Sequence, residues 1–98
     1  MMMRVARAKI HKKYTKAFED LMTKDGLPKI RNLPGNMGGY LARDKKTNEY
    51  VFVMLWKDIE SIKGLTGEKW KEAAVDPREE KMLAEKPVIE HFEIFAEI

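Results

Sequence analysis

The chain has no cysteine and no glutamine, and Ser61 is its only serine. Without cysteine there is no disulfide framework, thiolate zinc site or cysteine nucleophile. A reducing, cytoplasmic compartment is the natural expectation. The lone serine has no histidine near it in sequence, so a serine nucleophile finds no support. No apolar run approaches the roughly 20 residues of a membrane span, and Met1-Met2-Met3-Arg4 leads into a strand without the apolar stretch of a signal peptide. Charge of one sign is nowhere concentrated: 19 Lys and Arg are interspersed with 16 Asp and Glu for a net +3. Lys12-Lys13 and Lys45-Lys46 are pairs, too short for a phosphate-binding tract, so no nucleic-acid partner is expected. Two histidines without a neighbouring acidic pair argue against a metal. Phosphate-loop and dinucleotide fingerprints are absent, and no cofactor is expected.

What is present is a globular composition, 44% hydrophobic and 36% charged over 98 residues. That length is a single domain, residues 1–98, with a thin core, since a chain of this size buries only roughly 60–65% of its unfolded surface. Val5 to His11 reads as a strand. Thr15 is placed to cap a helix in which Ala17, Phe18, Leu21 and Met22 share a face, with Asp25-Gly26 as its stop and a short turn from Leu27-Pro28. Pro34-Gly35-Asn36 and Gly38-Gly39 are turn chemistry. Tyr40 to Arg43 is a short strand, Lys45 to Asn48 a polar reversal, and Glu49 to Trp56 the strongest strand signal in the chain. Asp58 caps a helix bearing Ile59, Ile62 and Leu65, broken at Gly64 and Gly67. Thr66 is expected to start a second helical piece with Trp70, Ala73 and Ala74 on one face. Asp76-Pro77-Arg78-Glu79 is a capping-box helix start, ended by Lys86-Pro87, and Val88 to Ile98 is a last strand.

The order is β-α-β-β-α-β, an α+β, ferredoxin-like antiparallel sheet with helices on one face. In Glu49 to Trp56, the residues Tyr50, Phe52, Met54 and Trp56 alternate with Val51, Val53 and Leu55. Both faces are apolar, so both should be covered. Helices cover one, and a second copy of the sheet is the simplest cover for the other, which predicts a homodimer.

From Leu55 the chain acquires a recognisable grammar. Leu55-Trp56-Lys57-Asp58 is followed by Leu65-Thr66-Gly67-Glu68-Lys69-Trp70, by a closing Val88-Ile89-Glu90-His91-Phe92-Glu93, and preceded by Pro34-Gly35-Asn36-Met37-Gly38 and Leu41-Ala42-Arg43-Asp44. In order and spacing these segments resemble the antibiotic-biosynthesis-monooxygenase-like family over nearly the whole chain. The resemblance implies a dimeric α+β barrel and, among family activities, cofactor-free oxygenation of aromatic substrates or oxidative haem degradation. The haem-degrading branch depends on an Asn, a Trp and a His. By position the Trp falls on Trp56, but the Asn falls near Ala6 and the His near Val75, so two of the three are missing. The same element order serves RNA-recognition domains, but their basic-Gly motif is absent around Tyr50-Val51-Phe52-Val53.

Each candidate site residue carries two readings. Trp56 is either a core aromatic or a pocket wall continued by Met54 and Phe52. Ala6 and Ala8, of the same parity, leave room for a ligand or simply admit Phe18 and Leu21. Trp70 is a core residue or a lid. His91 is a general base or, the preferred reading, a hydrogen-bonding group at the dimer interface. Arg7 is an ion-pair partner of Glu93 or Glu97, or a contact for an anionic ligand. Asn36 orients a substrate oxygen or serves its turn. The function expected from the resemblance is a cofactor-independent monooxygenase of an aromatic or quinol-type small molecule. In that reading, an apolar pocket of Trp56, Phe52, Met54 and Trp70 surrounds the ligand and His91 is the base. The alternatives are a non-catalytic dimer that holds a small apolar ligand, and, less favoured, a haem-degrading enzyme.

Overall fold

The computed structural model of the protein describes residues 1–98. Four strands, β1 (Met2–Lys9), β2 (Asn36–Asp44), β3 (Glu49–Trp56) and β4 (Val88–Glu93), form one antiparallel sheet in the order β2-β3-β1-β4. Between β1 and β2 run α1 (Thr15–Leu21) and α2 (Leu27–Arg31), and α3 (Ile59–Thr66) and a single turn, α4 (Pro77–Glu80), lie between β3 and β4. This is the α+β, ferredoxin-like arrangement that the element order predicts. No helix is long and apolar enough to cross a membrane.

Register places the residues of one sheet face. Met2, Arg4, Ala6 and Ala8 stand opposite Trp56, Met54, Phe52 and Tyr50 of β3, and Arg4 and Ala6 stand opposite His91 and Ile89 of β4. Since strand side chains alternate, these residues share the face beneath the helices. Two apolar clusters fill it. Ile10, Phe18, Met22, Tyr50 and Met82 pack at one end, and Met54, Trp56 and Ile62 at the other. The opposite face carries Val5, Val51, Val53 and Leu55 along its middle, with Tyr40, Phe92 and Val88 exposed toward its edges.

Several boundaries differ from the sequence reading, each for a local reason. β1 starts at Met2 rather than Val5. Asp25-Gly26 does not stop the helix: Gly26 has an ordinary helical φ of −61°, and the chain widens into a π-turn, Met22–Gly26, before continuing as α2. A Cβ at Gly26 would stand 3.1 Å from the Met22 thioether, so the glycine there makes room for a core side chain. β2 begins at Asn36 and is bulged between Asn36 and Gly39. Gly39 has no alternative, since a Cβ would lie 2.1 Å from the Val53 carbonyl oxygen. The Asp58 carboxylate caps α3 by accepting from the Ser61 amide at 2.8 Å. Gly64 sits inside that helix, which ends only at Gly67 with φ 77°. The helical piece expected around Trp70, Ala73 and Ala74 does not form. Its small side chains bury little surface to hold a helix in place, and the Trp70 and Glu72 carbonyls are taken by Arg4. The Asp76–Glu79 capping box is present, but α4 closes after one turn, well before Lys86-Pro87, because Met82 drops into the core. β4 ends at Glu93, and Phe95 beyond it is exposed.

Candidate functional site

Between the two clusters the inner face is not filled. Ala6 and Ala8 are the smallest side chains on it, and over them lies a cavity of about 210 Å³. Phe52 and Met54 form the floor beside the alanines, with Phe18, Met22 and Ile30 on the helical side. Ala73, Ala74 and Val75 of the irregular segment make the wall opposite. The volume is below the roughly 300 Å³ at which pockets for drug-sized ligands begin, so the space suits a compact molecule.

Polar groups enter at two places. At the α2–α4 rim stand Asp25, Lys29, Asp76 and Glu79. They are tied to one another. Arg78 pairs with both Asp25 and Asp76, and Lys29 with Asp25 at 3.2 Å. The Arg78 guanidinium and amide bring the Asp76 carboxyl down to about 2, and hydrogen bonds from Arg78 and Lys29 lower that of Asp25. Glu79 accepts from the Asp76 amide at 2.9 Å, and burial pushes its carboxyl above the usual range. A raised pKa makes a carboxylate a better base.

The second polar group is Arg4, which is 1% exposed and lines the cavity. Its Nη1 donates to the Trp70 carbonyl at 2.7 Å and to His91 Nε2 at 3.0 Å, and its Nη2 donates to the Glu72 carbonyl at 2.8 Å. Arg4 thus fastens the segment that carries the cavity wall to the sheet. Burial lowers its guanidinium from the ordinary value, though an arginine stays charged. His91 stands behind it, its ring edge-on to Trp70 with centroids 4.8 Å apart. Burial, then the charges of Arg4 and Lys71, push the imidazole down. An imidazole nitrogen that accepts from a guanidinium carries no proton, so His91 is neutral with its hydrogen on Nδ1.

The structure therefore gathers Ala6, Ala8, Phe52 and Met54 around one cavity and sets the other sequence candidates elsewhere. Trp56 is fully buried and packs with Met54, Ile62 and Leu65 behind the cavity wall, not on its surface. Trp70 joins that cluster and is no lid. Asn36 faces an adjoining groove at the β2 edge that shares Ile30, Phe52 and Met54 with the cavity, and there its side-chain oxygen accepts from the Gly38 amide at 2.9 Å. His91 lies on the helix-covered face, not on the face expected to meet a partner, because its register is opposite Arg4. Arg7 is on the opposite sheet face from the cavity, paired with Glu90 and not with Glu93 or Glu97. Sequence reasoning missed Glu79 at the rim and, more deeply buried, Arg4. Its signal was parity: once the strand starts at Met2, Arg4 falls in line with Ala6 and Ala8. No set of histidine, cysteine or acidic side chains is grouped to hold a metal ion.

Comparison with known proteins agrees with this architecture. A Caulobacter crescentus structure described as an antibiotic biosynthesis monooxygenase superposes with a TM-score of 0.80 at 23% identity, over 97% of this chain and 90% of that one. One from Nitrosomonas europaea, similarly described, gives 0.76 at 15% identity over 98% and 100%. A monooxygenase of Streptomyces coelicolor, solved in complex with nanaomycin D, gives 0.70 at 15% identity over 99% and 89%. Among curated proteins no sequence match is found. The model of the family described as antibiotic biosynthesis monooxygenase matches residues 1–76, and the chain belongs to that family.

Proposed function

We propose that the protein is a cofactor-independent monooxygenase of a compact, electron-rich aromatic or quinol-type molecule bound between Ala6, Ala8, Phe52 and Met54. The observation that carries this reading is the cavity itself, apolar on floor and walls and entered by only a few polar groups. In the reaction a bound phenol gives up its proton and passes electrons to dioxygen. A C–H carbon para to the oxygen becomes a carbonyl. One oxygen atom stays in the quinone and the other leaves as water, so four substrate electrons reduce one dioxygen. The positive charge of Arg4 favours the oxyanion, and Glu79 at the rim is the available base. His91 is screened from the cavity by Arg4, so we assign it the positioning of that guanidinium. Haem does not fit: the cavity is too small for it, its lining holds no imidazole, and Ala6 and Val75 stand where the haem-degrading pattern needs Asn and His.

A second reading, a non-catalytic holder of a small apolar ligand, is favoured by that screening of His91. Oxygen uptake decides between them. With 1-naphthol and other small phenols that carry a para C–H, catalysis consumes one dioxygen per quinone formed. A thermal shift with no uptake above the protein-free rate selects the binder. We further propose that a second copy covers the sheet face bearing Val51, Val53 and Tyr40. Light scattering checks it, and a monomer of 11.4 kDa at micromolar concentration overturns it.

A further inference from the structure

The inner sheet face holds a second space, and one side chain stands between it and the cavity. Register sets β1, β3 and β2 side by side in two rows, Ala6, Phe52 and Leu41 in one and Arg4, Met54 and Gly39 in the other. The cavity is lined by residues of β1 and by none of β2, and the β2-edge groove by residues of β2 and by none of β1. The floor is low on the β2 side because Gly39 can carry no side chain against the Val53 carbonyl. The groove left there has a volume of about 360 Å³, against about 210 Å³ for the cavity. Both spaces have Phe52 and Met54 of the central strand β3 as floor, and both have Ile30 of α2 as wall. Ile30 also packs against the cluster of Met54, Trp56 and Ile62. Helix side chain and strand therefore meet over β3, and their contact divides one continuous apolar floor into two compartments. An isoleucine in a helix is held almost wholly to one χ1 rotamer, so this partition does not readily swing aside.

We infer that Ile30 sets the size of molecule the site accepts: a phenol of one or two rings fills the cavity up to Ile30, and a third ring fused in line meets that side chain. The inference rests on the cavity being the ligand site and adds the residue that limits its length. Neighbouring strands stand about 4.8 Å apart, so the floor from β1 to β3 is short. A longer flat molecule has to pass over β3 toward β2, where Ile30 bars the way. Apolar area alone orders ligands the opposite way, because each added ring buries more surface. A preference for the smaller molecule is therefore the signature of the partition rather than of hydrophobicity.

The test is fluorescence titration of the full chain with 1-naphthol and with 1-anthrol, which adds one ring in line, under nitrogen so that binding is read without turnover. The wild type should bind 1-naphthol about 10- to 100-fold tighter, the scale on which an apolar pocket rejects a group that does not fit. In Ile30→Ala the order should invert, with 1-anthrol about 5- to 10-fold the tighter ligand. Ile30→Val, which removes one methyl group, should narrow the wild-type preference, and it carries the test if the alanine variant fails to fold. Leu41 lines the groove and not the cavity. Leu41→Phe added to Ile30→Ala should refill the groove, cancel the gain in 1-anthrol and spare 1-naphthol. Binding of 1-anthrol to the wild type as tightly as 1-naphthol overturns the inference and leaves the cavity as a ligand site, and this comparison needs no variant. A preference unchanged in both Ile30 variants overturns it by placing the size limit elsewhere. A gain that survives Leu41→Phe overturns it by placing the third ring outside the groove. If no form binds either compound and no phenol drives oxygen uptake, the reading of the cavity fails and this inference falls with it.

Discussion

The two ends of the inner sheet face solve the same packing problem differently. At the α1 end, every buried polar group is answered. The Tyr50 hydroxyl donates to Glu19, which also pairs with Arg43 at 2.9 Å. Asn48 donates to the Ile10 carbonyl and to Thr15 Oγ1, both at 3.0 Å. Phe18 sits edge-on to Tyr50 with centroids 4.7 Å apart. At the other end, where β1 starts and β3 finishes, stand the only two buried side-chain atoms without a partner, Arg4 Nε and Trp56 Nε1. One end is closed in contacts and charge, and the other keeps two unused donors, while the cavity between them is lined from both ends. Buried polar groups are normally paired, so these two exceptions mark the end at which hydrogen bonding is incomplete.

That contrast can be broken most directly by truncating one side chain at each end. Phe18→Ala should cost about 3–5 kcal/mol, read from urea denaturation, and in so small a domain that threatens folding outright. Arg4→Met should change stability by less than about 1 kcal/mol, since removing an uncompensated buried charge offsets the lost hydrogen bonds. Similar costs at both sites would dissolve the distinction. Next in size, Asn48→Ala should cost about 2–3 kcal/mol, because it removes both hydrogen bonds and puts alanine at φ 58°. Asn48→Gly should recover the part due to backbone conformation.

The smallest effect sharpens the contrast through pH. His91 has its folded-state pKa below the ordinary 6.5. Within that window the unfolded chain binds the extra proton, so stability is present above pH 6.5 and is lost as pH falls from there through the folded-state value. Melting temperature should therefore decline on acidification below about pH 6.5, before the carboxylates titrate, and His91→Asn should flatten that limb. A decline unchanged by the substitution would detach His91 from the open end.

How far the sequence carried depended on whether an element is specified locally. Glu49–Trp56 was read to the residue because its β-branched and aromatic run needs no context, and the Asp58 cap and Asp76–Glu79 box are single hydrogen-bonding patterns written within four residues. The fold class followed from element order. The segment 67–75 was misread because nothing within it reveals that a guanidinium more than 60 residues away in sequence takes its carbonyls. Ala6, Ala8, Phe52 and Met54 were visible as one face by parity. Arg4 was lost because the strand was read as starting at Val5, and only the register opposite Met54 and His91 shows it turned inward.

The π-turn at Met22–Gly26 has a consequence for how this chain can change. Successive residues of an α-helix advance by roughly 100°, so one residue of slack in the winding sets the phase of everything after it. The π-turn precedes α2 and so sets the phase at which α2 turns Ile30 to the cavity. Deleting one residue there would leave two good helices and an intact sheet, yet rotate Ile30 and Lys29 about a quarter-turn away. The register of a screw thread, as much as the identity of a side chain, thus decides which residues line the cavity.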